Sequence, residues 1–397
     1  MVEKLAIPSK ELAAKIVGKI DSFLASRVQR VSINTDVPSN YVDEMGNSLH
    51  VGESFGIPSI TVSFSAFDVG VKIFSVMTGT DPDSYPGAGV DISSLSEVDI
   101  ILYVKDDDVS DYLKSAHARK LQVRDFSFTY NVDGESTEDY TLIGSEKRWF
   151  KNDVLVDKFT TGTTSFELGD TPIQLKSGNY CLSVILDGVW LTEVAAGPAT
   201  GQYSVSGTTL TTFDSRSSQL LAVYHAVGVG NNWSDVSDPV SAIAIQGKDV
   251  SVLIAAAGVS RVQSITINGS MNVQEVKEMG SRAVAGYQRQ VPNVEGTITV
   301  LDTDTELIDL LLNGSAPSGD TEFELGQGCT TSGVSLEIKL LDPCDTTVPY
   351  TVLKTIYIPE INVNGDSYTA NVNNNASQVF NFRSADAQCL VYSGARA

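Results

Sequence analysis

The octapeptide "RVQRVSIN" occupies residues 27–34, and "RVQSITIN" occupies residues 261–268. Short β-rich strings recur by chance, so the reading turns on whether the register continues beyond them. It does. With the offset held at 234 and no gap, Val42 falls on Val276, Glu44-Met45-Gly46 on Glu278-Met279-Gly280, Gly52 on Gly286, Pro58 on Pro292 and Asp68 on Asp302. Residues 27–68 and 261–302 share twelve identities in forty-two ungapped positions. Apolar residues replace apolar ones at Val31/Ile265, Ile60/Val294 and Phe64/Ile298. Further on, "VDIILYVKD" (98–106) resembles "VSLEIKLLD" (334–342) at an offset of 236, and "NVDGESTEDYTLIGSEK" (131–147) resembles "NVNNNASQVFNFRSADA" (371–387) at 240. Loop insertions inside one fold produce such a drift. The chain reads as an internal duplication whose copies, about 125 to 140 residues each, have the usual size of one domain. Solenoid repeats are far shorter.

Composition bounds the function. The 397 residues are 42% hydrophobic, enough to bury real cores, and carry a net charge of −22 from 49 acidic against 27 basic residues. That balance argues against a protein that grips nucleic acid, because phosphate binding relies on clustered Lys and Arg. The N-terminal "MVEKLAIPSK" lacks a signal-peptide core, and the longest apolar run, "VSVLIAAAGV" (250–259), is far short of a membrane helix. No membrane association is expected, and assembly in the cytoplasm is. Cys181, Cys329, Cys344 and Cys389 are too few and scattered for a disulfide framework and read as free thiols, with a Cys329–Cys344 bond as the alternative.

Four units follow. Residues 1–26 are expected to hold a helix over 8–25, where Ser9 caps and Leu12, Ile16, Ile20 and Leu24 recur every four residues. Residues 27–150 and 241–397 are the two copies, rich in period-2 strands such as "SITVSFSAF" and "LQVRDFSFTYNV". Each copy carries one helix after its aspartate: "DVGVKIFSVMTG", stopping at Gly79, and "DTDTELIDLLLNG", with a Thr303/Glu306 capping box and an end at Gly314. Residues 151–240 have no counterpart and read as an inserted small β-sandwich with hairpin turns at Asp187-Gly188 and Ser206-Gly207. Residues 241–264 resume copy two as a strand, a Gly247-Lys248 turn and a second strand. The fold class is therefore mainly β: two tandem β-sandwich or barrel domains with flanking helices, plus the insert.

Long polar connections, 35–57 and 269–291, separate the first two strands of each copy. At over twenty residues they exceed an ordinary turn. The shared Glu44-Met45-Gly46 and Glu278-Met279-Gly280 mark the tips of two extended β-hairpin arms. An isolated two-stranded arm is barely stable in water and gains stability by pairing with another chain. These six residues are the candidate inter-subunit or inter-ring contacts.

Chemistry is not legible. His50, His117 and His225 lack partners at metal-ligand spacing, "GVGNN" (228–232) lacks the third glycine of a dinucleotide loop, and "KDDDVSD" (105–111) lacks the calcium-loop frame. No catalytic residue, metal site or cofactor is expected.

The strand "RVQSITING", the hairpin with "KEMGSRAVAGYQRQ", then "VPNVEGTITV" and an acidic-capped helix resemble the tail tube proteins of long-tailed phages. "AIAIQGKDVSVLIAAAGVSRVQS" (242–264) resembles the start of such a domain, and residues 121–149 resemble the closing strands. The resemblance covers about three-quarters of the chain and spares the first segment and the insert. It implies hexameric rings with one inner β-barrel closed across subunits, stacked through hairpins. Two tube-like domains per chain then imply a trimeric, pseudo-sixfold ring in a virion tail, with other tail proteins as partners and viral DNA passing without specific binding. An acidic wall minimises sticking to phosphate. Strand alternation over 121–132 sends Gln122, Arg124, Ser127 and Thr129 to one wall or the other. Two alternatives stay open: a carbohydrate- or host-surface-binding protein acting through Trp190, Tyr203 and Trp233 of the insert, and a tube-like hub or terminator.

Overall fold

The computed structural model describes residues 12–25, 27–45, 48–68, 70–80, 89–106, 109–151, 154–160, 162–213, 219–226, 245–281, 284–301, 306–313, 333–372 and 375–396. The first segment departs from expectation. It holds a strand pair, β1 (Leu12–Val17) and β2 (Ser22–Leu24), with Ile16 opposite Phe23. Spacing by four keeps Leu12 and Ile16 on one face of a strand as well as of a helix, so the periodicity was ambiguous. Burial decides between them. Ile16 enters the main core while Ala13 and Val17 face the insert, and a strand serves two apolar faces where a short amphipathic helix serves one.

Copy one continues with β3 (Val28–Asp36), β4 (Ser39–Val42), β5 (Gly52–Phe55), β6 (Ser59–Phe67), helix α1 (Lys72–Thr78), β7 (Val90–Asp91), β8 (Glu97–Asp106), β9 (Val109–Asn131), β10 (Thr137–Gly144) and β11 (Glu146–Phe150). Helix α1 ends at Gly79 in the left-handed conformation, where the sequence places its stop. Strand β9 is long and serves two layers. Its first part pairs with β8 and β11, its second with β10. At the bend, Lys120 takes a φ of 49° and its amide donates to Asp99 Oδ1 at 2.8 Å.

The insert is a sandwich of β12 (Val154–Phe159), β13 (Ser165–Glu167), β14 (Cys181–Leu186), β15 (Val189–Trp190), β16 (Thr192–Glu193), β17 (Gln202–Ser206), β18 (Thr209–Thr212) and β19 (Leu220–His225). One sheet runs β12-β19-β14-β15, the other β13-β18-β17-β16. Asp187 and Gly188 both have positive φ and join β14 to β15 in a two-residue turn, as the Asp-Gly pair requires. The runs "CLSVIL" and "LLAVYH" are apolar on both faces because one face fills the sandwich and the other packs on β1 and β8.

Copy two comprises β20 (Val250–Ile254), β21 (Ala257–Gly258), β22 (Val262–Ser270), β23 (Val273–Val276), β24 (Gly286–Arg289), β25 (Asn293–Leu301), helix α2 (Glu306–Asn313), β26 (Val334–Leu341), β27 (Val352–Thr369), β28 (Ser377–Ser384) and β29 (Leu390–Ser393). Residues 247–249 form a 3-10 turn closed by Gln246 and Asp249, and the hairpin turn falls later, at Ala255-Ala256. The Thr303 capping box and Gly314 lie outside the described residues, as do residues 241–244.

The ladders repeat at the sequence offsets. Arg30 sits opposite Ser65, and 234 residues on Ser264 sits opposite Thr299. Thr137 sits opposite Phe67, and at +240 and +234 Ser377 sits opposite Leu301. Ile100 faces Ala118, and at +236 and +240 Leu336 faces Ile358. Even β1–β2 has a counterpart: Ile16 lies opposite Ile100 as Ile254 lies opposite Leu336. The segment 12–24 thus holds the ladder position against β8 that 250–258 holds against β26.

Each copy contributes four strands to a continuous antiparallel ribbon, in the order β3-β6-β10-β9-β22-β25-β28-β27. Its core face is apolar, with Val62, Phe128, Leu142, Ile267, Ile298 and Phe382 at no more than 1% exposure. Each such side chain contributes about 1.5–3 kcal/mol on burial. The opposite face is polar.

Candidate assembly surface

The two copies meet along β9 and β22. Ile265 lies opposite Tyr130, Ile267 opposite Phe128 and Gly269 opposite Phe126. At the ends, the Val132 amide donates to the Gln263 carbonyl at 2.8 Å and the Met271 amide to the Arg124 carbonyl at 2.7 Å. On the polar face, Ser127 Oγ donates to Asn268 Oδ1 at 2.8 Å and Ser270 Oγ to Asp125 Oδ1 at 2.9 Å. Gly269 is required here. A Cβ at this position would stand 1.9 Å from the Phe126 ring.

A buried charge cluster seals the seam. Lys354 of β27 is fully buried, and its ammonium donates to both oxygens of Asp68 at 3.0 and 2.9 Å and lies 3.6 Å from Glu138 Oε2. Tyr130 donates to Asp68 Oδ2 at 2.9 Å, Tyr140 donates to Glu138 Oε2 at 3.1 Å, and the ammonium sits 4.6 Å above the Phe128 ring. Burial alone would depress the Lys354 pKa, but Asp68 and Glu138 outweigh it and hold it above its ordinary value. Glu138 is pushed up to about 8, chiefly by burial and against the pull of Lys354. Lys354 and Glu138 escaped the sequence reading. A lone charge inside the apolar alternation "TVLKTIYI" was the available signal.

This cluster predicts a pH dependence. Between the ordinary carboxyl value of 4.5 and about 8, the folded state holds a proton on Glu138 that the unfolded state releases. Its contribution to stability is therefore complete below 4.5 and lost as pH rises towards 8. Copy two has Gln378 at the corresponding position, 240 residues on. Glu138→Gln is expected to flatten the fall in unfolding free energy between pH 5 and 8, measured by urea titration at several pH values.

The arms differ. In arm two, β23 pairs with β24, and the arm lies on copy one: Val273 is buried, and the Arg289 guanidinium donates to the Leu95 carbonyl and to Gln122 Oε1, the latter at 2.8 Å. Burial depresses the Arg289 pKa, with Glu97 opposing. Gln122, one of the residues considered for a wall, is thus 4% exposed and sits inside the seam. In arm one, β4 pairs with β5 and every residue of both strands is exposed. Tyr41 stacks on His50 at 4.4 Å, and His50 pairs with Asp43. Tyr41 and Phe55 are 68% and 70% exposed, and Phe55 occupies the position of Arg289. Met45 and Met279 are fully exposed at the tips, beside Glu44 and Glu278. Gly280 has a φ of 87° in the second tip, and Gly46 lies outside the described residues.

The ribbon also has two ends. Among the described residues, β3 pairs with β6 alone, and residues 362–369 of β27 have a ladder only with β28. Across the ribbon's polar face runs a shallow groove lined by Asp125, Asp139, Asn268, Asn293 and Glu295. Ser127 and Thr129 lie on that face, while Phe126, Phe128 and Tyr130 fill the core.

The insert is fastened by a buried hub. His117 Nε2 lies 2.8 Å from Asp99 Oδ2, Ser183 Oγ donates to the same oxygen at 2.6 Å, and Arg119 Nε donates to Ser183 Oγ at 3.0 Å. The residue types are those of an acyl-transfer triad, but serine and histidine both bond to the aspartate, and all three are buried. Nucleophile activation needs a Ser–His bond and a substrate-accessible hydroxyl. Of the aromatics considered for carbohydrate, Tyr203 is 3% exposed and donates to Glu193 Oε2 at 2.9 Å, Trp190 is partly buried, and Trp233 lies outside the described residues. Cys181 and Cys389 are buried free thiols, with burial pushing the Cys389 thiol up to about 12. Cys344 is an exposed free thiol. Among the described residues, no three or more His, Cys, Asp or Glu side chains cluster so as to hold a metal ion, and no helix is long and apolar enough to cross a membrane.

No known protein family and no curated protein sequence matches this chain. Among solved structures it is similar to a chain of the PVC sheath–tube complex of an extracellular contractile injection system in its extended state. That match has 14% identity and a TM-score of 0.27, and covers 42% of this chain and 99% of the other. It is also similar to the tube terminating cap of the anti-feeding prophage, at 12% identity and a TM-score of 0.26, covering 38% of this chain and 95% of the other. Both likenesses are weak, each spanning less than half of this chain.

Proposed function

We propose that this chain is a structural, self-polymerising protein of a tailed virus or related particle. Three copies close a pseudo-hexameric ring, and rings stack into a tail tube that conducts the genome. The observation that carries the reading is the eight-strand ribbon, polar on one face and ending in two edges that a further copy can extend. Open edges invite pairing, and closing a barrel removes them. Three ribbons of eight strands make a barrel of twenty-four, with Asp125, Asp139 and Glu295 on its polar face. Carboxylates there repel phosphate, so DNA passes without specific binding. Other tail proteins meet the ends of the tube, and arm one, with its exposed apolar residues, docks on a second copy.

The test is negative-stain electron microscopy of concentrated protein, with light scattering for mass. Hollow tubes or rings built from a three-chain unit are the expected result. A protein that stays monomeric at high concentration overturns the reading, and rings that never lengthen redirect it to a hub or terminator.

A further inference from the structure

The internal seam is a template for the seam between chains, because each of its strands has a counterpart at an open edge. Strand β22 corresponds to β3 at an offset of 234, and the second part of β9 corresponds to residues 362–369 of β27 at 240. Thr266 lies opposite Thr129 in the internal ladder. Carried over by those offsets, the pair becomes Ser32 and Thr369.

A second observation concerns the β3 edge alone. Lys147 of β11 reaches across and its ammonium donates to the Ile33 carbonyl at 3.1 Å and to Thr35 Oγ1 at 3.3 Å. Ile33 corresponds to Ile267, which in the internal seam stands opposite Phe128. The bonds at Gln263 and Met271 place the odd-numbered residues of β22 in the hydrogen-bonded pairs of that ladder, so the Ile33 carbonyl points to the open side of β3. Lysines at sheet edges block unwanted pairing. Strand β11 corresponds to β29, since Arg148 faces His117 as Leu390 faces Tyr357, which sets Lys147 against Cys389. Cys389 is fully buried, so at the edge already paired within the chain a thiol stands in place of this lysine.

We propose that the β3 edge accepts β27 of a second copy of this chain in the register of the internal seam, with Ser32 opposite Thr369, and that Lys147 covers this edge until the second copy displaces it. The inference rests on the ring-forming reading above and adds to it a register and a guard. Arriving at the edge, the Tyr368 amide takes the Ile33 carbonyl and the ammonium of Lys147 returns to water. The guard therefore opposes association and has no role after it.

The experiment uses the full chain carrying Cys329→Ser and Cys344→Ser, with Ser32→Cys and Thr369→Cys. Thr266 and Thr129 form a non-hydrogen-bonded pair, whose Cα atoms lie about 4.5 Å apart, inside the range a disulfide spans. Mild oxidation is expected to give covalent oligomers up to a closed three-chain species, while Ser32→Cys with Ser367→Cys, two residues out of register, gives few. Rings that form without a cross-link at the first pair, or with more at the second, overturn the register and leave the ring-forming reading intact. A monomer by light scattering with no cross-link in either variant overturns both. Lys147→Met, checked for a retained cooperative unfolding transition, is expected to lower the concentration at which assembly begins by roughly tenfold, the weight of a charged hydrogen bond. An unchanged or higher threshold overturns the guard.

Discussion

Lys354→Met is expected to lower the unfolding free energy by about 3–5 kcal/mol, the usual cost of removing one partner from a buried ionic cluster. The substitution keeps most of the side-chain volume, so the loss measures charge and hydrogen bonding. Asp68 and Glu138 are left facing each other at zero exposure for Asp68 and 1% for Glu138, with one tyrosine hydroxyl each. Urea denaturation at neutral pH reads the difference. A loss below about 1 kcal/mol, the range of exposed pairs, would mean that the cluster does not hold the two copies together.

The second large effect is on assembly. Tyr41→Ser with Phe55→Ser is expected to leave the thermal midpoint within about 2 °C, because surface changes away from packed groups usually stay within ±0.5 kcal/mol. The same variant is expected to abolish ring and tube formation, scored by electron microscopy. Both side chains are about two-thirds exposed, and the strands that carry them bury no residue in the chain. Arm two provides the contrast. Arg289→Ala removes two donations into copy one and is expected to destabilise the monomer itself by about 1–3 kcal/mol. If the arm-one variant assembles like the parent, that hairpin is not a contact between copies.

Much of this architecture was legible in the residues, and what was missed has identifiable causes. The offsets 234, 236 and 240 read from letters are the offsets of the ladders, because Gly, Pro and strand alternation mark register directly. The arms were placed by length and by Met45 and Met279. Their difference was not legible, since only the fold shows that copy one lies beneath arm two and that nothing among the described residues covers the strands of arm one. The segment 12–24 was misread because spacing by four satisfies both helix and strand, and what decides is an apolar surface on each face, supplied by the main core around Ile16 and by the insert against Val17. The hub at Asp99 drew no notice for a similar reason: Asp99, His117 and Ser183 are scattered in sequence, and two tertiary contacts bring them together.

The bent strand β9 has a mechanical consequence. Its first part carries Arg119, which donates to Ser183 of the insert, and its second part is the rail on which copy two rides. Between the two lie only a few peptide units and the kink at Lys120. A pull on the insert is therefore not absorbed by a slack tether. It travels along one covalent backbone into the joint between the halves, so the insert acts as a lever on that joint.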